Sequence, residues 1–409
     1  MKKVILLVVA YALLPGCSVN EVITAEETEL IVAETPPEES LLLDIGIIQF
    51  AEGVPENNKS SDTQVFEDIR AAESRYLAYH LKTTLQGTGH WGAVRVIPSS
   101  SAYTDVTING EIEESDGEYV TLAVRVGDAR GQTWYRKSYS TQTGVSSYSV
   151  NRDRRLDPYQ KVFNDIANDL RAYVEKMPPK TVTDIQHVSE LQFFADMSPE
   201  AYGEHLAVDE DGMLKAVRLP AENDPAVDRL RQIRERDRLV VDTLNEHYAN
   251  FYYGIAIPYR SWRKTAREES INYRQVRRSA NLQTLMGAVV LAGSLAVNTD
   301  SGGRQTRDIN RSLQGIGIQQ GFESLFGGIS RRSEANIHME SIKELSESFG
   351  AEAAPMVVSV DGESRRLTGT AAAQYESWRR LLKQIYESET GFVEPAEDGL
   401  PERVPEPTG

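Results

Sequence analysis

The sequence has few residues that could form disulfides or bind metals. Cysteine occurs once in 409 residues, at position 17, and the six histidines are scattered along the chain. A single cysteine excludes a disulfide within the chain, and no two histidines have metal-ligand spacing. The GxxxxGK[ST], HExxH and GxSxG motifs are also missing. We therefore predict no catalytic residue, no metal site, no cofactor and no small-molecule substrate, so that the protein is not an enzyme.

The first 16 residues have the pattern of a secretory signal. Two lysines at 2–3 precede an apolar run over 4–14, which is too short to span a membrane as a helix. Leu14-Pro15-Gly16-Cys17 then resembles the lipobox of bacterial lipoproteins. The resemblance implies cleavage between Gly16 and Cys17 and a lipid on Cys17. The alternative is an ordinary signal peptide that ends near a cysteine, but a lone cysteine at this place favours a lipid site.

The destination follows from the same resemblance. Ser18 after the cysteine is similar to the sorting signal for the outer membrane, which implies an anchored protein facing the periplasm. We expect the membrane to be one partner, through the lipid on Cys17. Export argues against nucleic acid as a partner.

The net charge of −17 is concentrated at the two ends. Residues 18–40 carry seven glutamates and no basic residue, and residues 387–409 carry seven acids against one arginine. Segments with this composition bury too little apolar surface to offset the entropy of ordering. We predict a disordered acidic linker over 17–40 and a disordered acidic tail over 389–409.

Residues 41–177 have the clearest fold pattern, that of an α/β sandwich in an α+β protein. The order is strand–helix–strand–strand–strand–strand–helix, and Met177-Pro178-Pro179 ends the domain. The predicted strands are 41–50, 94–97, 106–112, 120–126 and 132–140, and the predicted helices are 65–86 and 157–173.

The stretch from Asp105 to Gly131, together with this element order, resembles the periplasmic domain at the start of TolB-type proteins and of ABC-transport auxiliary lipoproteins. The resemblance covers about a third of the chain. It implies a non-enzymatic part in envelope machinery.

The second half is predicted to be mainly helical, with two small β-hairpins. A connecting segment over 178–224 has an irregular pattern and one hairpin, whose Asp209–Gly212 turn is favoured over a calcium loop. Residues 225–388 form the helical domain. Its predicted elements are a helix from Pro225 that ends before Gly254 and Pro258, a second helix carrying Trp262, Ile271 and Tyr273, helices at 334–349 and 370–386, and a hairpin of 356–360 with 363–367.

Basic residues are concentrated in the first part of this helical domain. Between Arg229 and Arg278 there are twelve Lys and Arg against six Asp and Glu. One interpretation is a helix surface with many ion pairs. The other is a face for phosphate head groups or an acidic partner.

Residues 285–329 form an apolar segment with many glycines, which we interpret as a helical hairpin. Glycine costs about 1 kcal/mol inside a helix, so its use here requires a reason such as close helix packing. The candidate packing glycines are Gly287, Gly293, Gly317 and Gly321. The hairpin could be buried, could enter a membrane or form an oligomer, or could be mobile.

Two functions remain open. The first is a lipid-anchored structural or adaptor protein of the cell envelope, bound to an envelope protein or to itself. The second is a membrane-inserting or oligomer-forming protein that uses residues 285–329.

Overall fold

The structure is a computed structural model that describes residues 27–55, 65–98, 103–149, 156–221, 223–295, 333–351, 355–360 and 363–390. It has an α+β fold with an N-terminal sheet and a helical second half, which confirms the predicted fold class.

The first part of the chain is a five-stranded sheet packed against two helices, α1 (Glu67–Thr88) and α2 (Gln160–Val174). The strand order is β2-β1-β3-β4-β5, with β1 parallel to β2 and β3 and the other pairs antiparallel. Alternate side chains of β3 and β4 are buried in the core that includes both helices. The strands are β1 (Ile45–Ile48), β2 (Val94–Ile97), β3 (Val106–Ser115), β4 (Tyr119–Asp128) and β5 (Thr133–Gln142).

The described part of the second half is mainly helical, and both predicted hairpins are present. Its helices are α3 (Pro179–Met197), α4 (Pro199–Tyr202), α5 (Pro225–Leu295), α6 (Ser333–Ala351) and α7 (Ala371–Thr390). The hairpins are β6 (Leu206–Val208) with β7 (Leu214–Ala216), and β8 (Met356–Val360) with β9 (Glu363–Leu367).

The connecting segment is more regular than predicted, because α3 occupies its first half. Pro179 stands at the first helical position, where proline is well tolerated. The helix buries Ile185, Leu191 and Phe194. Its buried positions lie on more than one face, which explains why the sequence has no clear helical stripe here.

The predicted break near Gly254 and Pro258 is wrong, since α5 runs without interruption for 71 residues. Proline in a helix interior removes the hydrogen bond to the carbonyl four residues earlier and crowds it. That carbonyl belongs to Gly254, which is exposed and has no side chain, so water can hydrate it. Ile255 and Tyr259 on either side of Pro258 are completely buried, and their packing offsets the cost of the proline.

The predicted disordered linker is ordered over residues 27–40. The backbone N–H of Ala33 donates to the Thr88 carbonyl at 2.8 Å, and Asn164 Nδ2 donates to the Thr28 carbonyl at 2.6 Å. Leu30 packs against the core. The glutamates stay at the surface while the backbone between them is held by α1 and α2, a contact that composition does not reveal. Residues 17–26 lie outside the described part of the chain.

One apolar core runs through both halves of the chain. Leu77 and Phe163 of the first part belong to the same buried cluster as Leu244 and Tyr259 of α5 and Leu382 of α7. The predicted boundary at residue 177 therefore marks a change of architecture, while the core is continuous across it.

Candidate functional site

Helix α5 is joined to the first domain by a buried ion pair. Arg263 Nη1 and Nη2 each donate to a carboxylate oxygen of Asp157 at 2.8 Å, and the two side chains are 1% and 2% exposed. Asp157 also accepts hydrogen bonds from the Tyr76 hydroxyl at 2.9 Å and from the Tyr159 backbone N–H at 2.8 Å. The carboxylate therefore meets four donors from three parts of the chain.

Three tyrosine rings surround the guanidinium of Arg263. Its central carbon lies 4.1 Å from the ring centre of Tyr259, 4.8 Å from that of Tyr159 and 5.5 Å from that of Tyr76. Cation–π contacts of this kind partly replace lost hydration when the charge is buried. We call Arg263, Asp157 and these three tyrosines the Arg263 cluster.

The cluster holds both of its charged groups in their ionised forms. Burial by itself raises the pKa of Asp157, but the Arg263 guanidinium outweighs this effect and holds that pKa below its usual range. Burial likewise lowers the pKa of Arg263, and Asp157 more than reverses the change. Removing either partner would leave an uncompensated charge in the core.

Glu73 is a second buried acid next to the cluster. Its carboxylate accepts hydrogen bonds from the Tyr259 hydroxyl at 2.8 Å and the Ser115 hydroxyl at 2.7 Å, and it pairs with Arg70 Nε at 3.1 Å. Burial raises the pKa of Glu73 and Arg70 offsets this only in part. Glu73 thus connects α1, β3 and α5 through a single side chain.

The β3–β4 turn touches the backbone of α5 directly. Gly117 has φ +85°, and a Cβ atom placed on it would lie 2.2 Å from the Arg263 carbonyl oxygen and 2.6 Å from the Arg267 nitrogen. Its own N–H donates to the Tyr159 hydroxyl at 3.0 Å, and its carbonyl accepts from the Tyr148 hydroxyl at 2.7 Å. Glycine is required here for its positive φ and for its lack of a side chain.

Further along α5, one arginine meets three acids at the same turn. Arg274 contacts Asp116 at 2.6 Å, Glu114 at 3.2 Å and Glu118, and its guanidinium lies 4.4 Å from the Tyr119 ring centre. The basic helix therefore neutralises an acidic turn of the first domain.

Helix α5 also covers the open edge of the sheet at β2. The Val96 N–H donates to Asn245 Oδ1 at 2.8 Å, and Asn245 Nδ2 donates to the Val96 carbonyl at 2.9 Å. Arg95 beside it pairs with Asp242 at 2.6 Å. A side-chain amide thus takes the place of a neighbouring strand and protects an edge that would otherwise be free to pair with another chain.

The N-terminal part of α5 is joined to α7 by another buried acid. Asp237 accepts hydrogen bonds from Tyr375 Oη and Trp378 Nε1, both at 3.1 Å, and lies 3.6 Å from Arg379. Its carboxylate is buried between the two helices, and burial raises its pKa.

These contacts favour the first of the two interpretations of the basic region. Most of its arginines pair with acids within the protein, as Arg231 does with Glu190 and Arg238 with Asp44. Arg260 and Lys264 differ, since neither forms an ion pair with an acid in the described residues, and the same holds for Arg267 and the buried Arg234. Arg260 and Lys264 are therefore cations that no described acid neutralises.

The residues of the Arg263 cluster were not among the sequence-predicted sites. In the sequence, Asp157 indicates only the start of a helix, and Arg263 is one of many basic residues. The sequence signal that could have identified Arg263 as buried is its position four residues after Tyr259 and next to Trp262, on the apolar side of the helix. Periodicity alone does not identify the acid that pairs with such an arginine.

The predicted site residues lie at or beyond the limits of the structure. Gly287 and Gly293 lie in the helical backbone of α5, which contains the first arm of the predicted hairpin. Gly16, Cys17, Gly317 and Gly321 lie outside the described residues.

The described residues contain neither a metal-binding cluster nor a membrane-spanning helix. No group of three or more His, Cys, Asp or Glu side chains could hold a metal ion there. Among the described helices, none combines the length and apolar character needed to cross a membrane.

No protein-family model, no curated protein and no solved structure matches the chain.

Proposed function

We propose that the protein is a lipid-anchored adaptor of the bacterial cell envelope that works without catalysis. The observation that supports an adaptor is the attachment of α5. A helix of 71 residues, about 107 Å long at 1.5 Å per residue, is fixed to the first domain by the buried Arg263 cluster. Such a helix is a rigid arm whose position relative to the sheet is set.

The arm extends beyond its attachment. Arg274 contacts the β3–β4 turn, and α5 continues for another 21 residues to Leu295, about 32 Å further. A long helix with a firm attachment suits binding to an envelope protein or to a second copy of the chain. The ionised groups of the Arg263 cluster are enclosed, which supports a structural role for them.

The anchor is proposed from the sequence, and replacing Cys17 with Ser tests it. Without the thiol, no diacylglyceryl group can be attached, so an uncleaved and lipid-free precursor is expected. Intact-mass measurement of the protein from the cell envelope reads out both changes. Ser18→Ala is the matched control, and it should leave cleavage and acylation unchanged. A cleaved wild-type chain without lipid would contradict the anchor.

The outer membrane, on its periplasmic side, is the proposed location. Separation of inner and outer membranes should recover the wild-type protein with the outer membrane. Recovery with the inner membrane would refute the location and leave the anchor standing.

The second candidate function is membrane insertion or self-assembly through residues 285–329. It is favoured by the helical backbone of α5 through Gly287 and Gly293, without a break at either glycine. A lipid-free chain starting at Ser18 distinguishes the two functions. If that chain is monodisperse without detergent, insertion fails and the adaptor is supported.

The glycines of this segment give a further prediction. Gly317→Leu and Gly321→Leu should force closely packed backbones apart, at a cost of about 1–3 kcal/mol for overpacking. A buried hairpin would lose thermal stability as a monomer, whereas an assembly surface would lose the oligomer and keep its fold. Thermal melting with light scattering measures both. Unchanged values in both variants would show that the segment does not pack closely.

A further inference from the structure

One face of α5 is exposed to solvent beside the Arg263 cluster and has both apolar and basic side chains. Its members follow one another at steps of four, three, four and three residues, the spacing of a single helix face. Tyr253 is 67% exposed and Ile257 is 77% exposed, which is unusual for such large side chains. We call this face the α5 stripe; it consists of Tyr253, Ile257, Arg260, Lys264 and Arg267.

The basic half of the stripe borders a groove in which none of the described lining residues is an acid. The groove has a volume of about 340 Å³ and lies between α5 and the short helix Val145–Tyr148. Arg260 and Lys264 line it together with Tyr148, Ser149, Ala256, Ile257 and Ser261. The Arg267 guanidinium at the end of the stripe donates to the Thr143 hydroxyl at 3.2 Å. Positive charge in this groove is therefore available to an anionic ligand.

The N-terminal segment enters the fold near the apolar end of the stripe. A chain of hydrogen bonds connects Thr28 to Tyr252, and the Tyr252 ring lies 5.2 Å from that of Tyr253. Its members are Thr28, Asn164, Gln160, His80 and Tyr252. Thr28 lies eleven positions after Cys17, so a lipid on Cys17 lies at most about 40 Å from Thr28.

We infer that the α5 stripe rests on a membrane surface containing anionic phospholipids. Tyr253 and Ile257 would enter the interfacial region, and Arg260 and Lys264 would meet the lipid phosphates. Exposed apolar side chains beside basic ones are the usual combination for binding at this interface. The closeness of the membrane rests on the proposed lipid anchor. The affinity of the α5 stripe for anionic lipids does not depend on that anchor.

The test is binding of the lipid-free full chain, with Cys17→Ala, to two kinds of vesicle. One kind is phosphatidylcholine alone, and the other contains phosphatidylglycerol in addition. Cosedimentation should show preferential binding to the anionic vesicles. Arg260→Gln combined with Lys264→Gln should weaken this binding about 30-fold, since each cation near an anionic surface strengthens binding about fivefold.

Matched controls separate the stripe from net charge and from general hydrophobicity. Lys180→Gln with Lys383→Gln removes the same charge from exposed positions elsewhere and should leave binding nearly unchanged. Tyr253→Ser with Ile257→Ser should also weaken binding, whereas Val208→Ser with Val217→Ser, at other exposed apolar positions, should not. The signal segment is the same in every variant, and circular dichroism verifies that each one folds.

Equal binding to both kinds of vesicle would overturn the inference. So would equal losses in the Arg260/Lys264 variant and the Lys180/Lys383 variant. Because the chain has no lipid, these results concern only the stripe, and the Cys17→Ser experiment concerns only the anchor. The two proposals can therefore fail separately.

Discussion

Replacing Asp157 with Ala is expected to lower the free energy of unfolding by about 3–5 kcal/mol, since Arg263 is left as an uncompensated charge in the core. Arg263 is 1% exposed and has no other acid as a direct partner among the described residues. Urea denaturation followed by circular dichroism measures the change. Glu175→Ala is the control, because it removes an exposed partner of Arg171 and should cost no more than about 1 kcal/mol.

A second substitution tests whether the unpaired charge of Arg263 causes this loss of stability. In the Asp157→Ala background, Arg263→Met removes the stranded charge and should recover part of the lost stability, since apolar replacements of buried ion pairs are often neutral. If the two substitutions simply add, the stability does not come from this charge pair.

The contribution of Asp157 to the free energy of unfolding should also depend on pH in a defined direction. The pKa of Asp157 is depressed in the folded protein, so its contribution is complete above the unfolded value of about 3.9. It is lost as the pH falls through the folded pKa. The difference between wild type and Asp157→Asn should therefore be constant near neutral pH and shrink only below about pH 4.

Replacing Gly117 with Ala is expected to have a similarly large effect, about 2–5 kcal/mol. Alanine at φ +85° costs about 1–2 kcal/mol, and its Cβ would press on the α5 backbone, which adds about 1–3 kcal/mol. The atoms that this Cβ would meet belong to the backbone of α5, so no flexible side chain can move aside to make room. Denaturation by urea measures the loss.

The control for Gly117 is Gly131, in the β4–β5 turn. Gly131 has φ +86°, and an added Cβ would meet nothing within 4 Å. Gly131→Ala therefore carries the cost of the positive φ alone, about 1–2 kcal/mol. Equal losses in the two variants would mean that the contact between the turn and α5 contributes nothing.

Local patterns predicted most of the secondary structure. Alternating apolar residues predicted β3 and β4, and the predicted hairpin of 356–360 with 363–367 matches β8 and β9. These elements depend on contacts between residues close in sequence, so their signals are in the sequence itself. Strands β3 and β4 extend further than predicted because pairing with a neighbour continues after the alternation fades, whereas β1 (Ile45–Ile48) is shorter than the predicted 41–50.

The errors have one physical origin. Gly254 and Pro258 weaken a helix locally, yet α5 passes through them because Ile255 and Tyr259 are buried against the first domain. The acidic segment at 27–40 has a disordered composition, yet its backbone is held by Thr88 and Asn164. In each case distant contacts outweigh a local preference of a few kcal/mol at most.

Sequence patterns alone establish most of the elements, the fold class, the resemblance of the first 17 residues to a lipoprotein signal and the excess of basic residues in α5. Only the tertiary structure decided which of those basic residues are neutralised and which remain available. Arg263 and Asp157 are 106 residues apart, and Arg274 and Asp116 are 158 apart. The sequence does not show which residue pairs with a given charged side chain, because the energy of that charge depends on its burial and on the nearest opposite charge in space.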